Sequence, residues 1–187
     1  MTPALAHTPV LETARLVLRA PVAADWPAWR DFMASDRAQF VNALARDDVS
    51  AWRAFGHFIG HWVLHGFGQF VITERQSGAV LGSAGPWFPL GWPEKELGWL
   101  LWRPEAEGKG YAFEAVSAVR DHVQNDLGWN GAVSYIAPDN LRSLALAQRL
   151  GCAHDMAAAT PGGLADVQVW RHPIARADND GNLEAYA

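Results

Sequence analysis

The sequence predicts a mixed α/β fold with a predominantly antiparallel start. Three observations carry this expectation. One alternating strand-like segment is followed by two stretches with helical spacing; three strand-like segments then succeed one another without a helix; and a glycine-rich turn after the last of them opens a long helix. The first half lacks the strict strand-helix alternation of a doubly wound nucleotide fold.

Thr13, Ala14, Arg15, Leu16, Val17, Leu18 and Arg19 alternate apolar and polar side chains, which suits a half-buried first strand ending at Pro21. Over 25–33, Trp26, Trp29 and Met33 recur at steps of three and four, with Pro27 tolerated in a first turn. A second helix is predicted from a cap among Asp47, Asp48, Val49 and Ser50 to Gly66, with Trp52, Phe55, Ile59 and Trp62 as its apolar stripe. His57, His61 and His65 share another face of it. His61 lies about 150° from the centre of the stripe, so this face is expected to look away from the core, either solvated or edging a cleft.

Residues 69–73 and 79–84 read as a hairpin joined by Gln76, Ser77 and Gly78. A Pro-, Gly- and Trp-rich loop over 86–93 leads into a strongly apolar central strand over 96–102. A helix over 110–126, a strand over 132–136 and a helix over 140–150 that stops at Gly151 follow. Segments 153–156 and 167–170 close the sheet as a final pair.

With 187 residues and 50% hydrophobic content, one domain over 1–175 is expected, followed by a polar, flexible tail over 176–187. No stretch approaches the roughly 18 uninterrupted apolar residues of a membrane span, and the first seven residues lack a basic start with a long apolar run; a cytoplasmic location is expected. The single cysteine, Cys152, excludes an internal disulfide framework and a cysteine-rich zinc site. It reads as a buried structural thiol. No metal is expected, and the three histidines lack a carboxylate or cysteine to complete a site. Formal net charge is -5, and the 15 Lys and Arg are scattered, so neither nucleic acid nor membrane is an expected partner; the overall field favours a cationic substrate such as an amine. The chain is expected to be a monomer or a homodimer.

The most informative stretch is Glu105-Ala106-Glu107-Gly108-Lys109-Gly110-Tyr111-Ala112-Phe113-Glu114-Ala115. Glycines between a buried strand and a long helix let several amide N–H groups point at one anion, with the helix dipole behind them, and Lys109 adds a point charge. A merely tight connection would use the same two glycines. Two other phosphate motifs are excluded: a Walker loop needs glycine where Arg103 stands and Ser or Thr where Gly110 stands, and a dinucleotide fingerprint needs a small residue at Phe113.

Together with Leu11-Glu12-Thr13-Ala14-Arg15-Leu16, Glu96-Leu97-Gly98-Trp99, Asn140-Leu141-Arg142-Ser143 and Leu150-Gly151-Cys152, this stretch resembles the Gcn5-related N-acetyltransferases (GNAT), and within them the branch typified by ribosomal-protein N-terminal acetyltransferases. Each motif alone is loose; in order over nearly the whole chain they are specific. The resemblance implies a mainly antiparallel sheet flanked by helices and splayed between the strand ending at Trp102 and the strand ending at Ile136. It implies acetyl-coenzyme A as co-substrate, its pantetheine arm in the opening, held by Leu100, Leu101, Trp102, Gly108, Lys109, Gly110, Tyr111, Ala112, Asn140 and Ser143. It implies transfer of the acetyl group to a primary amine, on a protein N-terminus or a small molecule, by direct attack in a ternary complex. One departure is Glu105, where relatives carry Gln or Arg.

Such a transfer needs a neutral amine, a polarised thioester carbonyl and a proton for the departing thiolate. Glu96 is the leading base, because period-two alternation puts it on the face of Gly98 and Leu100, where Gly98 leaves room. A solvated carboxylate at a strand start is the plainer reading, and Glu74 is the alternative base. Many relatives carry Tyr four residues before the position of Gly151, and here Ala147 stands there. In the ribosomal-protein branch a Ser three residues after the motif Asn serves instead, which is Ser143 relative to Asn140; Asn140 also reads as a helix N-cap. Trp62, Trp87, Trp92 and Trp99 are candidates for an acceptor pocket or for core. Glu105 and Ala147 together motivate a different reading, a non-catalytic acyl-coenzyme A sensing domain. A tryptophan-rich carbohydrate module is excluded by the helix over 110–126.

Overall fold

The computed structural model describes residues 5–41, 47–162, 164 and 166–173, so the expected tail over 176–187 lies outside the described residues. Eight strands form one sheet: β1 (Leu11–Glu12), β2 (Leu16–Arg19), β3 (Phe70–Glu74), β4 (Val80–Trp87), β5 (Glu96–Leu101), β6 (Val133–Ile136), β7 (Ala153–His154) and β8 (Gln168–Arg171). Their spatial order is β1-β2-β3-β4-β5-β6-β8-β7. All neighbours are antiparallel except β5 and β6, which run parallel and meet through one pair, Glu96 with Val133.

Alternation along the strands divides the interior into two layers. Val71, Leu100 and the adjoining Trp102 face α1 (Trp26–Met33) and α2 (Asp48–His65), packing against Trp29, Phe32, Met33, Phe55 and Phe58. Phe70, Ile72 and Leu97 face α3 (Tyr111–Asn125), packing against Val116, Val119 and Val123. The last helix, α4 (Leu141–Arg149), adds Ala147 and Leu146 to that second layer.

α2 starts and stops as its sequence predicts. Asp47 accepts from the amides of Val49 and Ser50, each at 3.0 Å, and the helix ends at Gly66 with φ 75°. Its faces differ from the expectation. Trp52 is 57% exposed, whereas His61 is 1% exposed, and the buried stripe is Ala51, Phe55, Phe58 and Trp62 with His61 beside it. Chain just before β3 and just after β4 covers His61, while His57 and His65 stay exposed: His61 Nδ1 donates to Phe67 O at 2.8 Å, its Nε2 accepts from the Phe88 amide at 3.0 Å, and its ring stacks on Trp87 at 4.4 Å. Burial first, then neighbouring His65 and His57, lower its pKa and keep it neutral. Both ring nitrogens are committed, which leaves none for a metal.

β4 runs past the predicted 84 to Trp87, carrying Pro86 inside a paired strand. Pairing with β3 ends at Phe70 with Ala84, so no neighbour needs the N–H that Pro86 lacks. β5 ends at Leu101, one residue short of the expectation. The short β1 and a 3-10 turn over Asp36–Phe40 were not legible in the pattern. Among the described residues no helix is long and apolar enough to cross a membrane.

Candidate active site

The gap between β5 and β6 can be followed one peptide at a time. The Trp102 amide bonds Leu81 O at 2.8 Å, so alternate residues Leu97, Trp99 and Leu101 turn their peptide groups the other way, toward β6. At the closed end the Val133 amide bonds Lys95 O at 3.0 Å. One step on, the bond to Leu97 O comes from a side chain, the Ser134 hydroxyl, at 2.5 Å. Further along, Leu101 O is taken by Arg37 at 2.9 Å. The sheet therefore opens progressively.

Ser134 is itself held. Because its hydroxyl donates to Leu97 O, it accepts from His172 Nε2 at 2.9 Å, and His172 Nδ1 is left to accept from the Cys152 thiol at 3.4 Å. Burial, helped by nearby Arg120, pushes His172 down to about 3, and burial pushes the Cys152 thiol up to about 11. Cys152 is thus a structural thiol.

A cavity of about 550 Å³ fills the wide end of the gap. Its walls include Trp99, Leu100 and Leu101 of β5; Gly108, Gly110, Tyr111 and Ala112 of the turn; Asn140 and Ser143 of α4; and Phe32 and Phe40. Gly108 and Gly110 have φ 72° and 78°, the left-handed region that glycine enters without strain. Among the described residues no side chain caps the start of α3, and its first residues Tyr111, Ala112 and Phe113 line the cavity, where a helix has amides without an intrahelical partner. Arg15 braces the turn from outside, donating to Lys109 O at 2.9 Å and to Glu114 at 2.7 Å, with its guanidinium 4.7 Å from the Tyr111 ring centroid.

The cavity carries three cations that are not among the expected cofactor contacts: Arg37, Arg142 and Arg149. Glu107 bridges the first two, at 2.7 Å to Arg37 and 2.5 Å to Arg142. Arg149 lies 4.4 Å from the Phe113 ring centroid. Arg142 and Arg149, seven residues apart on one helix face, could have been paired from spacing; Arg37 sits on the 3-10 turn that the pattern did not show. Two expected contacts fall elsewhere. Trp102 is 3% exposed and packs against Trp29 and Phe58, and the Lys109 side chain is exposed and outside the lining. Glu105, the departure from relatives, is also exposed and outside it; the glutamate in the lining is Glu107, two residues on.

Asn140 caps α4, accepting from the Ser143 amide at 3.2 Å. Trp99 Nε1 donates to Ser143 Oγ at 3.3 Å, leaving the hydroxyl proton for another acceptor. Ala147 is wholly buried, and close packing leaves no space for a tyrosine there.

Glu96 stands at the closed end of the gap, on the strand face of Leu100, with Trp87 opposite it on β4. Trp92 Nε1 donates to its Oε2 at 2.7 Å. Burial pushes its carboxyl up to about 7, against the lowering effect of hydrogen bonds from Trp92 and the Tyr135 backbone. Glu74 lies at the other end of the sheet, accepting from Ser77 Oγ at 2.5 Å and Tyr111 OH at 2.9 Å, bonds that hold its carboxyl below the ordinary range. Of the four tryptophans, Trp87 and Trp92 stand near Glu96, Trp99 near Ser143, and Trp62 is core.

The acetyltransferase (GNAT) domain family matches residues 15–153. The acetyltransferase from Agrobacterium tumefaciens str. C58 is 38% identical, with a TM-score of 0.81 over 92% of this chain and 98% of that one. Two more distant structures share the fold. RimL, a ribosomal L7/L12 alpha-N-protein acetyltransferase in complex with coenzyme A, is 18% identical with a TM-score of 0.69, over 93% of this chain and all (100%) of that one. Spermidine N-acetyltransferase from Vibrio cholerae, in complex with coenzyme A and spermine, is 16% identical with a TM-score of 0.65, over 85% and 94% of the two chains.

Proposed function

The chain belongs to the GNAT acetyltransferase family, and from that premise we propose that it moves the acetyl group of acetyl-coenzyme A directly to a primary amine, with both substrates bound together. The supporting observation is a cationic cavity whose β5 wall continues to Glu96, which stands on the same strand outside the lining. Three arginines and the uncapped start of α3 line the cavity, which suits a phosphorylated co-substrate, while apolar Leu100, Leu101 and Trp99 lead along β5 toward Glu96. From Glu96 to Leu100 the strand spans about 13 Å.

In this reading Arg37, Arg142, Arg149 and the amides at the start of α3 hold phosphate groups. The amine nitrogen attacks the thioester carbonyl carbon, a C–N bond forms, the C–S bond breaks, and the amine proton passes to Glu96. A carboxyl with a pKa near 7 is well matched to that task near neutrality. Ser143 gives the departing thiolate a hydrogen bond, and water supplies its proton. The same reading places the protein in the cytoplasm, which suits its free, buried Cys152.

The test is a panel of peptide, polyamine, aminoglycoside and amino-acid amines incubated with acetyl-coenzyme A, read by thiol release and by product mass. At least one amine should gain an acetyl group with matching thiol release. Binding of acetyl-coenzyme A without thiol release above hydrolysis, for every amine, would overturn the reading.

A further inference from the structure

Gly85 of β4 and Gly98 of β5 are directly paired, which leaves a bare trough across two strands on the face that carries Glu96. The chain entering β3 lies in it. A first side-chain carbon on Gly85 would stand 2.4 Å from Gln69 Cα, and one on Gly98 would stand 2.7 Å from Gln69 Nε2. Both glycines are therefore required for Gln69 to sit where it does. The Gln69 carbonyl is anchored by Trp62 Nε1 at 3.0 Å, and its side-chain Oε1 accepts from the buried Ser83 hydroxyl at 3.1 Å.

This orients the amide. With Oε1 bound to Ser83, Nε2 is the atom that stands over Gly98; turned over, the amide oxygen would take that place, beside the position Glu96 Oε1 also approaches. Among the described residues Nε2 has no protein acceptor. Glu96 Oε1 lies 3.7 Å from the same first-carbon position on Gly98. A donor and a carboxylate oxygen thus both approach the bare position of Gly98, and two half-buried tryptophans adjoin Glu96: Trp87, paired with it across the strands, and Trp92, bonded to its other oxygen.

Building on the acetyl-transfer reading, we infer that Gln69 is a specificity-determining residue, selecting amines that carry a carbonyl oxygen on the adjacent carbon, as a peptide N-terminus or an amino-acid amide does. In such a group the nitrogen and the oxygen are three bonds apart, so the amine reaches Glu96 Oε1 while the carbonyl accepts from Gln69 Nε2. A polyamine offers no acceptor there and leaves the Gln69 donor unpaired once water is excluded, which is the stronger basis of rejection.

L-alaninamide and isopropylamine, which differ in the carboxamide alone, are the probes, with kcat/KM measured for the wild type, Gln69→Leu and Ser83→Ala. Comparing variant with wild type on the same amine cancels the difference in amine basicity. Gln69→Leu should lower the alaninamide value about tenfold, the worth of one such hydrogen bond, and leave isopropylamine within about twofold. Ser83→Ala, which frees the amide to rotate, should reproduce part of that loss selectively, with the KM for acetyl-coenzyme A unchanged in both variants. Equal losses on both amines, or no loss on either, would overturn the role of Gln69 while leaving acetyl transfer standing. Acetylation of neither amine by the wild type would overturn this inference, and failure of the wider amine panel as well would overturn the reading beneath it.

Discussion

The indole of Trp92 binds one oxygen of Glu96, Oε2 at 2.7 Å, and leaves the other 3.7 Å from the empty side-chain position of Gly98. A carboxylate divided in this way has one oxygen fixed and one facing the space where an amine would sit. With the carboxyl pushed up to about 7 by burial, kcat/KM should fall on the acid side with an apparent pKa near that value. Glu96→Gln should lower single-turnover rates about a hundredfold and abolish the acid limb, with acetyl-coenzyme A affinity little changed. Near-normal rates with an unaltered profile would remove Glu96 as the base.

The same shift has a cost in stability. A carboxyl whose folded pKa lies above its ordinary 4.5 holds its proton more tightly when folded, so stability is lost as pH rises from about 4.5 to about 7. Glu96→Gln, which never ionises, should therefore melt higher than the wild type at pH 8, by at least about 2 °C, and the gap should close as pH falls toward 5. Thermal melts across pH check it; a destabilised variant at pH 8 would mean that the bond from Trp92 outweighs burial.

Ser143→Ala keeps the Asn140 cap, which uses the backbone amide of Ser143, and removes only the hydroxyl oriented by Trp99. Turnover should fall about tenfold, because water can still protonate an alkyl thiolate near neutrality. Rapid-quench kinetics read this directly, and a loss expressed wholly in the acetyl-coenzyme A KM would make Ser143 a binding residue.

Gly110 has φ 78°, and the nearest atom to an added first carbon is Arg15 Nη2 at 3.6 Å, an ordinary contact. The penalty of Gly110→Val is therefore conformational: a β-branched residue forces the turn out of the left-handed region and displaces the amides that begin α3. The KM for acetyl-coenzyme A should rise at least about tenfold, or about 1.4 kcal/mol. Unchanged cofactor affinity in a folded variant would separate the turn from phosphate binding.

Glu107 pairs with both Arg37 and Arg142 and offsets one of their two charges at the cavity where phosphates are proposed to bind. Glu107→Gln should release both guanidinium groups and tighten acetyl-coenzyme A binding about threefold, the scale of a partly exposed ion pair. Calorimetric titration decides the sign, and weaker binding would show that Glu107 positions the arginines instead.

Much of this architecture was legible because local chemistry dictates it. The cap at Asp47, the stop at Gly66 and the helix opening at Gly110 each follow from one residue's preferences. What failed depended on distant chain. A helical wheel places His61 opposite the stripe, but Phe67 and Phe88 arrive from elsewhere to bury it. Pro86 looks like a loop residue until the end of pairing with β3 makes its missing N–H harmless. At the site, the glycine turn and the candidates Glu96 and Ser143 were visible in motif and alternation. Arg37 and Gln69 were not, since neither lies in a motif and their placement depends on the packing of other segments.

The Ser134 bridge has one more consequence, for what can and cannot regulate the opening. Where a peptide-to-peptide bond would have drawn the strands together, a hydroxyl acts as a spacer, and behind it the chain from Leu97 O through Ser134 and His172 to Cys152 contains two titratable groups. With His172 near 3 and Cys152 near 11, both stay uncharged from about pH 6 to about pH 9. The width of the gap is thus set by a pin that proton concentration does not move across that range. Sensitivity to acidity is left to groups outside the pin, with Glu96 foremost among them.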